Sequence, residues 1–263
     1  YNRPLWPGPG HVTENLFVDH YQKMLTLEFG KSDADGVPIG QRIREGAGPS
    51  LSLSVPLFGV GLVLGVLLGL FVAFFRETYI DRMGVYLSVL SMSVPMLLYI
   101  IGGQFLLGRL LKWFPVSGFD PHPSVLARFL VLPVLVGIFA SVGSDVRFFR
   151  AVFVEEIHKD YVRTARAKGA GEWRIMTGHV LRNAMIPILT NVVMAIPFLF
   201  TGSLLLEASF GIPGLGSMIV EAINANDFST LRAMVFLGSL LFILGQILMD
   251  ISYTLVDPRI RLD

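Results

Sequence analysis

Residues 155–187, EEIHKDYVRTARAKGAGEWRIMTGHVLRNAMIP, form the one long polar stretch between two apolar runs of the chain. Apolar residues recur in its first half at spacings of three and four, which predicts an amphipathic helix. Gly169 and Gly171 are expected to end that helix, since glycine readily adopts the left-handed backbone of a C-terminal cap. A second helix follows and continues toward Pro187. The apolar stripes of the two helices are Val154, Ile157, Tyr161 and Ala165, and then Trp173, Met176 and Val180.

One charged pair supports the first of these helices. Glu155 and Lys159 lie four residues apart on the face opposite the apolar stripe. The acid is nearer the N-terminus, which is the favourable order for an ion pair on a helix surface. We therefore expect these two side chains to interact on the solvated face.

The composition points to a membrane. Of the 263 residues, 53% are hydrophobic and 16% are charged, whereas a soluble domain carries about a quarter charged residues. A net charge of +1 gives no case for binding nucleic acid. The chain has no cysteine, which excludes a disulfide framework, a thiolate metal site and a thiol nucleophile. Its five histidines show no metal-ligand spacing, and neither a phosphate loop nor a catalytic dyad is present, so we predict no catalytic residue and no metal site.

Five apolar runs are long enough to cross about 30 Å of hydrocarbon as helices. The predicted spans cover residues 51–75, 83–108, 125–144, 185–206 and 232–255. In the first span, Gly61, Gly65 and Gly69 repeat every four residues and offer a smooth face to a neighbouring helix backbone. The alternative is that glycine is simply common in membrane helices. Pro95 lies in the middle of the second span and predicts a kink, because proline removes a backbone hydrogen bond.

The predicted spans contain almost no charge, whereas an ion-coupled carrier normally keeps ionisable residues in its membrane core. Gln104, Asn191 and Gln246 are the main polar groups within the spans. They could line a translocation path. The more common role of such groups is a hydrogen bond between helices.

Basic residues indicate the orientation of the chain in the membrane. More than half of the 21 Lys and Arg residues lie in three segments, 76–82, 145–184 and 256–263. The positive-inside rule places these segments, and with them the C-terminal tail at 257–263, in the cytoplasm. Residues 1–50 are then expected outside.

The polar stretch resembles the coupling loop, or EAA loop, of ATP-binding-cassette importer permeases. The pattern of that loop falls here on Arg163, Thr164, Ala165, Gly169, His179, Leu181 and Arg182. Arg163 stands where the family usually has Glu, and Arg182 where it usually has Pro. Both departures, with the strings RTARAKG and HVLRNAMIP, are similar to the oligopeptide, dipeptide and nickel branch, and specifically to its B-type subunit. The ending DISYTLVDPRIR resembles the C-terminal signature of the same branch.

This resemblance implies an all-α polytopic bundle with the type I importer permease fold, in which a domain at 51–256 carries a cytoplasmic coupling loop at 155–182. The family has six helices, so we expect the first to precede Tyr1. Residues 207–231 resemble its short extracytoplasmic gate helix. The residues expected to contact the ATPase are Arg163, Thr164, Ala165, Gly169, Glu172, Leu181 and Arg182.

The resemblance also implies partners. These are a second homologous permease, two ATPase subunits that hold ATP and Mg²⁺, an extracytoplasmic solute-binding protein and the lipid of a bacterial inner membrane. The chain itself would not be a catalyst and would hold no cofactor. Di- or oligopeptides are the expected cargo, with nickel chelates, glutathione, opine-like solutes and peptide antibiotics as alternatives.

Three interpretations of the function remain open from the sequence. The first is the importer permease, the second a secondary transporter or channel without an ATPase, and the third a membrane scaffold without a transport path. The nearly uncharged spans and the long amphipathic hairpin disfavour the second. A surface hairpin of no special role is the competing interpretation of residues 155–182.

Overall fold

The computed structural model describes residues 22, 24 and 26–256. In this part of the chain the regular structure is helical, and a single β-bridge joins Lys31 to Pro38. The predicted cytoplasmic tail at 257–263 lies outside the described residues, and so does most of the predicted outer segment before residue 26. Residues 26–38 are described and form mainly turns and irregular structure. The all-α prediction is confirmed.

Ten α-helices follow one another along the described residues. They are α1 (Ile39–Phe74), α2 (Tyr79–Ser93), α3 (Met96–Gly103), α4 (Pro123–Ile157), α5 (Asp160–Ala167), α6 (Glu172–Ile175), α7 (Leu181–Thr201), α8 (Leu204–Phe210), α9 (Leu215–Asn224) and α10 (Phe228–Val256). Two π-helical segments, Gln104–Leu110 and Met176–Val180, continue α3 and join α6 to α7.

Four of these helical stretches are long and apolar enough to cross a bilayer. They are Ile39–Phe74, Val125–Ile157, Glu172–Thr201 and Phe228–Ile251. Two bent pairs, Tyr79–Ser93 with Met96–Leu110 and Leu204–Phe210 with Leu215–Asn224, pass the same test together. The described residues therefore hold four to six candidate spans, a range that includes the five predicted.

The first predicted span began at residue 51, but α1 begins at Ile39. The helix continues through Pro49 and Pro56 without interruption. Its early part is stabilised by packing, because Ile39, Gly46, Ser50 and Leu53 are buried at helical spacing along one side. The predicted boundary marked the start of apolar sequence and not the start of the helix.

The second predicted span is broken rather than kinked at Pro95. Helices α2 and α3 meet there at an angle of 88°. Val94, the residue before the proline, is extended, with φ −91° and ψ 121°. This is the conformation into which a following proline ring forces its neighbour.

The third predicted span ended at residue 144, whereas α4 continues to Ile157. Val146, Phe149, Phe153 and Ile157 are buried at spacings of three and four along this extension. They keep the helix intact beyond the stretch that hydropathy alone would select. The helix ends at Ile157, with His158 as its C-cap, so the amphipathic helix predicted from Val154 to Ala165 is in fact two helices, α4 and α5.

A buried carboxylate holds residues 32–33, just before α1, against the start of α10. Asp227 accepts hydrogen bonds from the Ser32 hydroxyl (2.5 Å), the Asp33 amide (3.1 Å) and the Thr230 hydroxyl (2.6 Å). Burial would raise the pKa of Asp227, but these hydrogen bonds outweigh it and hold the pKa below its ordinary value. Residues 32–33 are therefore fixed to the start of the last described helix.

The most extensive contact between helices of the described residues joins α1 and α4. A β-carbon at Gly65 would lie 2.8 Å from Cβ of Asp145, and one at Gly69 would lie 2.7 Å from Cβ of Phe149 and 3.0 Å from the Arg150 backbone nitrogen. Gly61, on the same face, has no such neighbour within 4 Å. Two of the three glycines thus lie at a contact that no larger residue could make without displacing a helix.

We expect Gly69→Ala to destabilise the protein, because the added methyl group meets backbone that cannot move aside. The cost should be about 1–3 kcal/mol, which is typical of overpacking. The matched control is Gly61→Ala, where space is open and alanine is the better helix former. Thermal unfolding of the purified protein in detergent measures both. Equal midpoints for the two variants would contradict this contact.

Candidate coupling site and membrane cavity

The hairpin, defined as residues 155–182, is built from the end of α4, the short helices α5 and α6, and a glycine turn between them. Gly169 has φ +79°, in the left-handed region that was predicted. The Ala170 amide donates to Ala165 O at 3.1 Å, and the Gly169 amide donates to Arg166 O at 2.9 Å, which closes α5 in the manner of a glycine C-cap. Gly171 is different. It has φ −67° and precedes α6 as its N-cap, so the prediction of a second terminating glycine is wrong.

An ion pair crosses the glycine turn and fixes α5 to α6. The Arg166 guanidinium donates to both carboxylate oxygens of Glu172, at 2.6 and 3.1 Å. This hydrogen bond raises the pKa of Arg166. Because both side chains are partly exposed, the pair contributes at most about 1 kcal/mol and acts mainly by fixing geometry.

A second polar contact holds the base of the hairpin. The buried Glu156 carboxylate pairs with Lys159 and accepts a hydrogen bond from the Tyr161 hydroxyl at 2.7 Å. Burial and this hydrogen bond raise the pKa of Tyr161. The predicted pair was Glu155 with Lys159. It is wrong because the helix ends at Ile157, and the chain turn brings Lys159 to the neighbouring acid instead.

The hairpin shares one apolar core with the membrane helices. Its buried residues come from α1, α4, α5, α6, the adjoining π-helical segment and α7. They are Leu70, Ala73, Phe149, Phe153, Ile157, Val162, Ala165, Ile175, Met176, Val180, Ala184 and Ile188. The hairpin is therefore an extension of the bundle and not a loop attached to it.

The buried stripe of the second hairpin helix differs in part from the prediction. Met176 and Val180 are buried as expected, but Trp173 is 68% exposed, and its ring packs edge-on against Phe74 with 5.9 Å between the ring centroids. The π-helical segment Met176–Val180 explains the change, because its wider turn shifts the register of the face before it. Ile175 takes the buried place instead.

The predicted ATPase-contacting residues divide into two groups. Ala165 and Leu181 pack in or against the shared core. The others form the outward face of the hairpin, where Arg163 is paired loosely with Asp160 at 3.6 Å. The outward group is Arg163, Thr164, Gly169, Glu172 and Arg182.

The three predicted path residues do not converge. Gln104 donates to Val116 O at 3.2 Å and to Ser209 O at 2.9 Å, and so ties the segment after α3 to α8. Asn191 lines a cavity. Gln246 lies half-buried on α10 and is not among the residues that line this cavity. The structure thus brings only one of them to a candidate path.

The cavity has a volume of about 410 Å³ and lies between α1, α4 and α7. Met96, at the break between α2 and α3, also borders it. Most of its wall is apolar, with Phe58, Phe149 and Phe198 as the largest side chains. One carboxylate, that of Asp145, is part of the wall. Asp145 directly follows the third predicted span at 125–144, and its place in a cavity wall was not predicted from the sequence.

A second missed residue is Glu207, which is completely buried. It accepts hydrogen bonds from the Ser50 hydroxyl of α1 (2.9 Å), from the Gly216 amide of α9 (2.7 Å) and from the Ser203 amide (3.1 Å). A β-carbon at Gly202 or Gly214 would collide with this carboxylate. The signal in the sequence was one acid within the glycine-rich run EASFGIPGLG. The predicted gate segment is thereby bound to α1, with α8 and α9 bent by 79°.

The fold and these features define a polytopic helical membrane protein in which apolar helices surround a cavity and a polar hairpin extends from the bundle. The family described as binding-protein-dependent transport system inner membrane component matches residues 65–262. The chain belongs to this family.

Individual relatives agree with this membership. The chain is 34% identical over 241 residues to a protein named as a peptide transport system permease of Brucella abortus, which covers 90% of this chain and 76% of that protein. It is also 34% identical over 261 residues to the glutathione transport system permease protein of Salmonella typhimurium, which covers 96% of this chain and 80% of that protein.

Family membership decides between the classes that the sequence left open. The chain is a multi-pass membrane component of a binding-protein-dependent transport system, as the resemblance implied. The chain is therefore not a channel or secondary transporter without partners. It is also not a scaffold without a transport path.

Proposed function

We propose that this chain is a permease subunit of an ATP-driven importer of di- or oligopeptides, and that it drives transport through its hairpin. The names of the relatives support the peptide class, since glutathione is itself a tripeptide. The apolar core shared by the hairpin and the membrane helices is the observation that carries the coupling role. Movement of the hairpin would displace α4 and α7 directly, because a packed core transmits strain.

The proposed partners follow from this role. Two ATPase subunits bind ATP and Mg²⁺ and receive the outward face of the hairpin, while this chain performs no catalysis of its own. A second homologous permease completes the translocation path, and an extracytoplasmic binding protein delivers the solute. Apolar side chains exposed on α10, such as Phe242, Ile243 and Ile247, suit contact with lipid or with the second permease.

The proposed orientation places the hairpin and the C-terminus in the cytoplasm of a bacterial cell with the residues before α1 outside. The excess of Lys and Arg around the hairpin supports it.

The absence of cysteine from the chain makes this orientation testable by labelling. Ala34 and Ala167 are both exposed, one before α1 and one at the end of α5. We expect Ala34→Cys to react with a membrane-impermeant maleimide in spheroplasts, and Ala167→Cys to react only after permeabilisation. Labelling of Ala167→Cys in sealed spheroplasts would reverse the orientation.

The coupling role is tested by a pair of valine substitutions. Gly169 and Gly171 are both exposed, and a β-carbon at either meets nothing within 4 Å. Only Gly169 has a left-handed backbone, which costs a branched side chain about 1–2 kcal/mol or more. Gly169→Val should therefore distort the turn, whereas Gly171→Val adds the same bulk to the same surface without strain.

We expect Gly169→Val to reach normal membrane levels, because the spans are unchanged, but to lose most of its bound ATPase and its peptide uptake. Gly171→Val should retain both to within about twofold. Pull-down of the ATPase subunits and uptake are measured on the same membranes. If both variants bind the ATPase and transport as the wild type does, the shape of the hairpin is not what couples the two subunits.

A further inference from the structure

Asp145 is the one ionisable residue among those that line the cavity between α1, α4 and α7. Around it the wall is built mostly from aliphatic and aromatic side chains. The other polar side chains of the wall are Ser54, Ser141, Asn191 and Ser203. An ionisable side chain within a membrane bundle is costly and tends to mark the route of a substrate or ion.

Asp145 also differs from the buried carboxylates of the described residues. Asp81 is held by two hydrogen bonds from Arg150, at 2.5 and 2.8 Å. Glu156 pairs with Lys159, and Glu207 and Asp227 each accept several hydrogen bonds. In the part of the chain that the structure describes, no Lys or Arg forms an ion pair with Asp145, and its polar neighbour is the Ser141 side chain one turn earlier.

The position of Asp145 is set by the close contact between α1 and α4. A β-carbon on Gly65 would lie 2.8 Å from that of Asp145, so the missing side chain of Gly65 makes the space in which Asp145 sits. Phe149, one turn later, packs against the same glycine and also lines the cavity. The carboxylate is therefore placed at the cavity by rigid backbone and not by a mobile loop.

We propose that Asp145 is a specificity-determining residue of the translocation path, and that its carboxylate binds a protonated amino group of the transported solute. The inference rests on the proposed function as a peptide importer. Asp145 pairs with no Lys or Arg of the described residues and faces a mostly apolar cavity. A cationic ligand there gains more from the carboxylate than it would in water, because the attraction is weakly screened. A peptide supplies that cation at its amino terminus, and its apolar side chains suit the remaining wall.

The first test uses the complete importer in proteoliposomes, with its own binding protein and with labelled tri-alanine and labelled glutathione as probes. Both probes carry a protonated α-amino group. We expect Asp145→Asn, which keeps the shape but loses the charge, to lower the initial uptake rate about tenfold or more. Asp145→Glu should recover a large part of it. Pull-down should recover the ATPase subunits with both variants in wild-type amounts, because neither substitution changes the hairpin.

The second test separates charge from packing within a single protein. Asp145→Cys is labelled after assembly with a thiosulfonate that carries either a sulfonate or a trimethylammonium group of similar size. We expect the anionic label to raise uptake above that of the unlabelled variant and the cationic label to abolish it. Ser144→Cys is the control, because Ser144 is exposed and lies outside the cavity wall. Labelling of this variant with either reagent should leave uptake unchanged.

The outcomes distinguish the two proposals. If the wild-type importer takes up neither probe in an ATP-dependent manner, the peptide importer assignment fails, and this inference with it. If the wild type transports and Asp145→Asn transports equally well, or if both labels change uptake by the same factor, Asp145 does not recognise a cation and only this inference is overturned.

Discussion

Helices α1 and α4 approach each other until Gly69 faces the Phe149 side chain and the Arg150 backbone with no room for a methyl group between them. Other features of the bundle follow from this contact. Because of this contact, Phe149 packs in the apolar core shared with the hairpin, and Arg150 forms an ion pair with Asp81 on α2. The same contact places Asp145 at the wall of the cavity. In a bilayer, where lipid is as apolar as the helix surface, such close van der Waals packing supplies much of the association energy.

The same contact explains how the hairpin is joined to the bundle. Because α4 continues beyond the apolar stretch to Ile157, Phe149 and Phe153 lie in one core with Val162 and Ile175 of the hairpin. For Val162 and Ile175, which belong to the polar hairpin, burial removes apolar surface from water and is worth roughly 1.5–3 kcal/mol for each side chain. At the other end, Glu207 fastens α8 and α9 to α1 through hydrogen bonds that leave none of its oxygens unsatisfied. The bundle is thus stiff at both ends, and the cavity lies between them.

Hydropathy, glycine spacing and one proline were enough to predict an all-α membrane bundle, the turn at Gly169 and a disturbance of the second span at Pro95, although that span is broken and not merely kinked. The predicted helix boundaries were wrong because a hydropathy pattern marks only the part of a helix that faces lipid. Helices α1 and α4 extend beyond that part, where their side chains are buried against other parts of the protein. The exposure of Trp173 could not be foreseen, since it depends on a π-helical segment with no clear signature in sequence. Asp145 and Glu207 were missed because each lay at the edge of a predicted element, and the coupling residues stay predictions.

The central claim is that this chain is the membrane half of an importer whose energy comes from a separate ATPase. Purification of the chain in a mild detergent with its bound partners tests this most directly, by ATP hydrolysis in nanodiscs with and without the peptide-loaded binding protein. The account predicts that an ATPase co-purifies and that the loaded binding protein raises its rate severalfold over the unloaded one. Purification without an ATPase, or a rate indifferent to the binding protein, would contradict it.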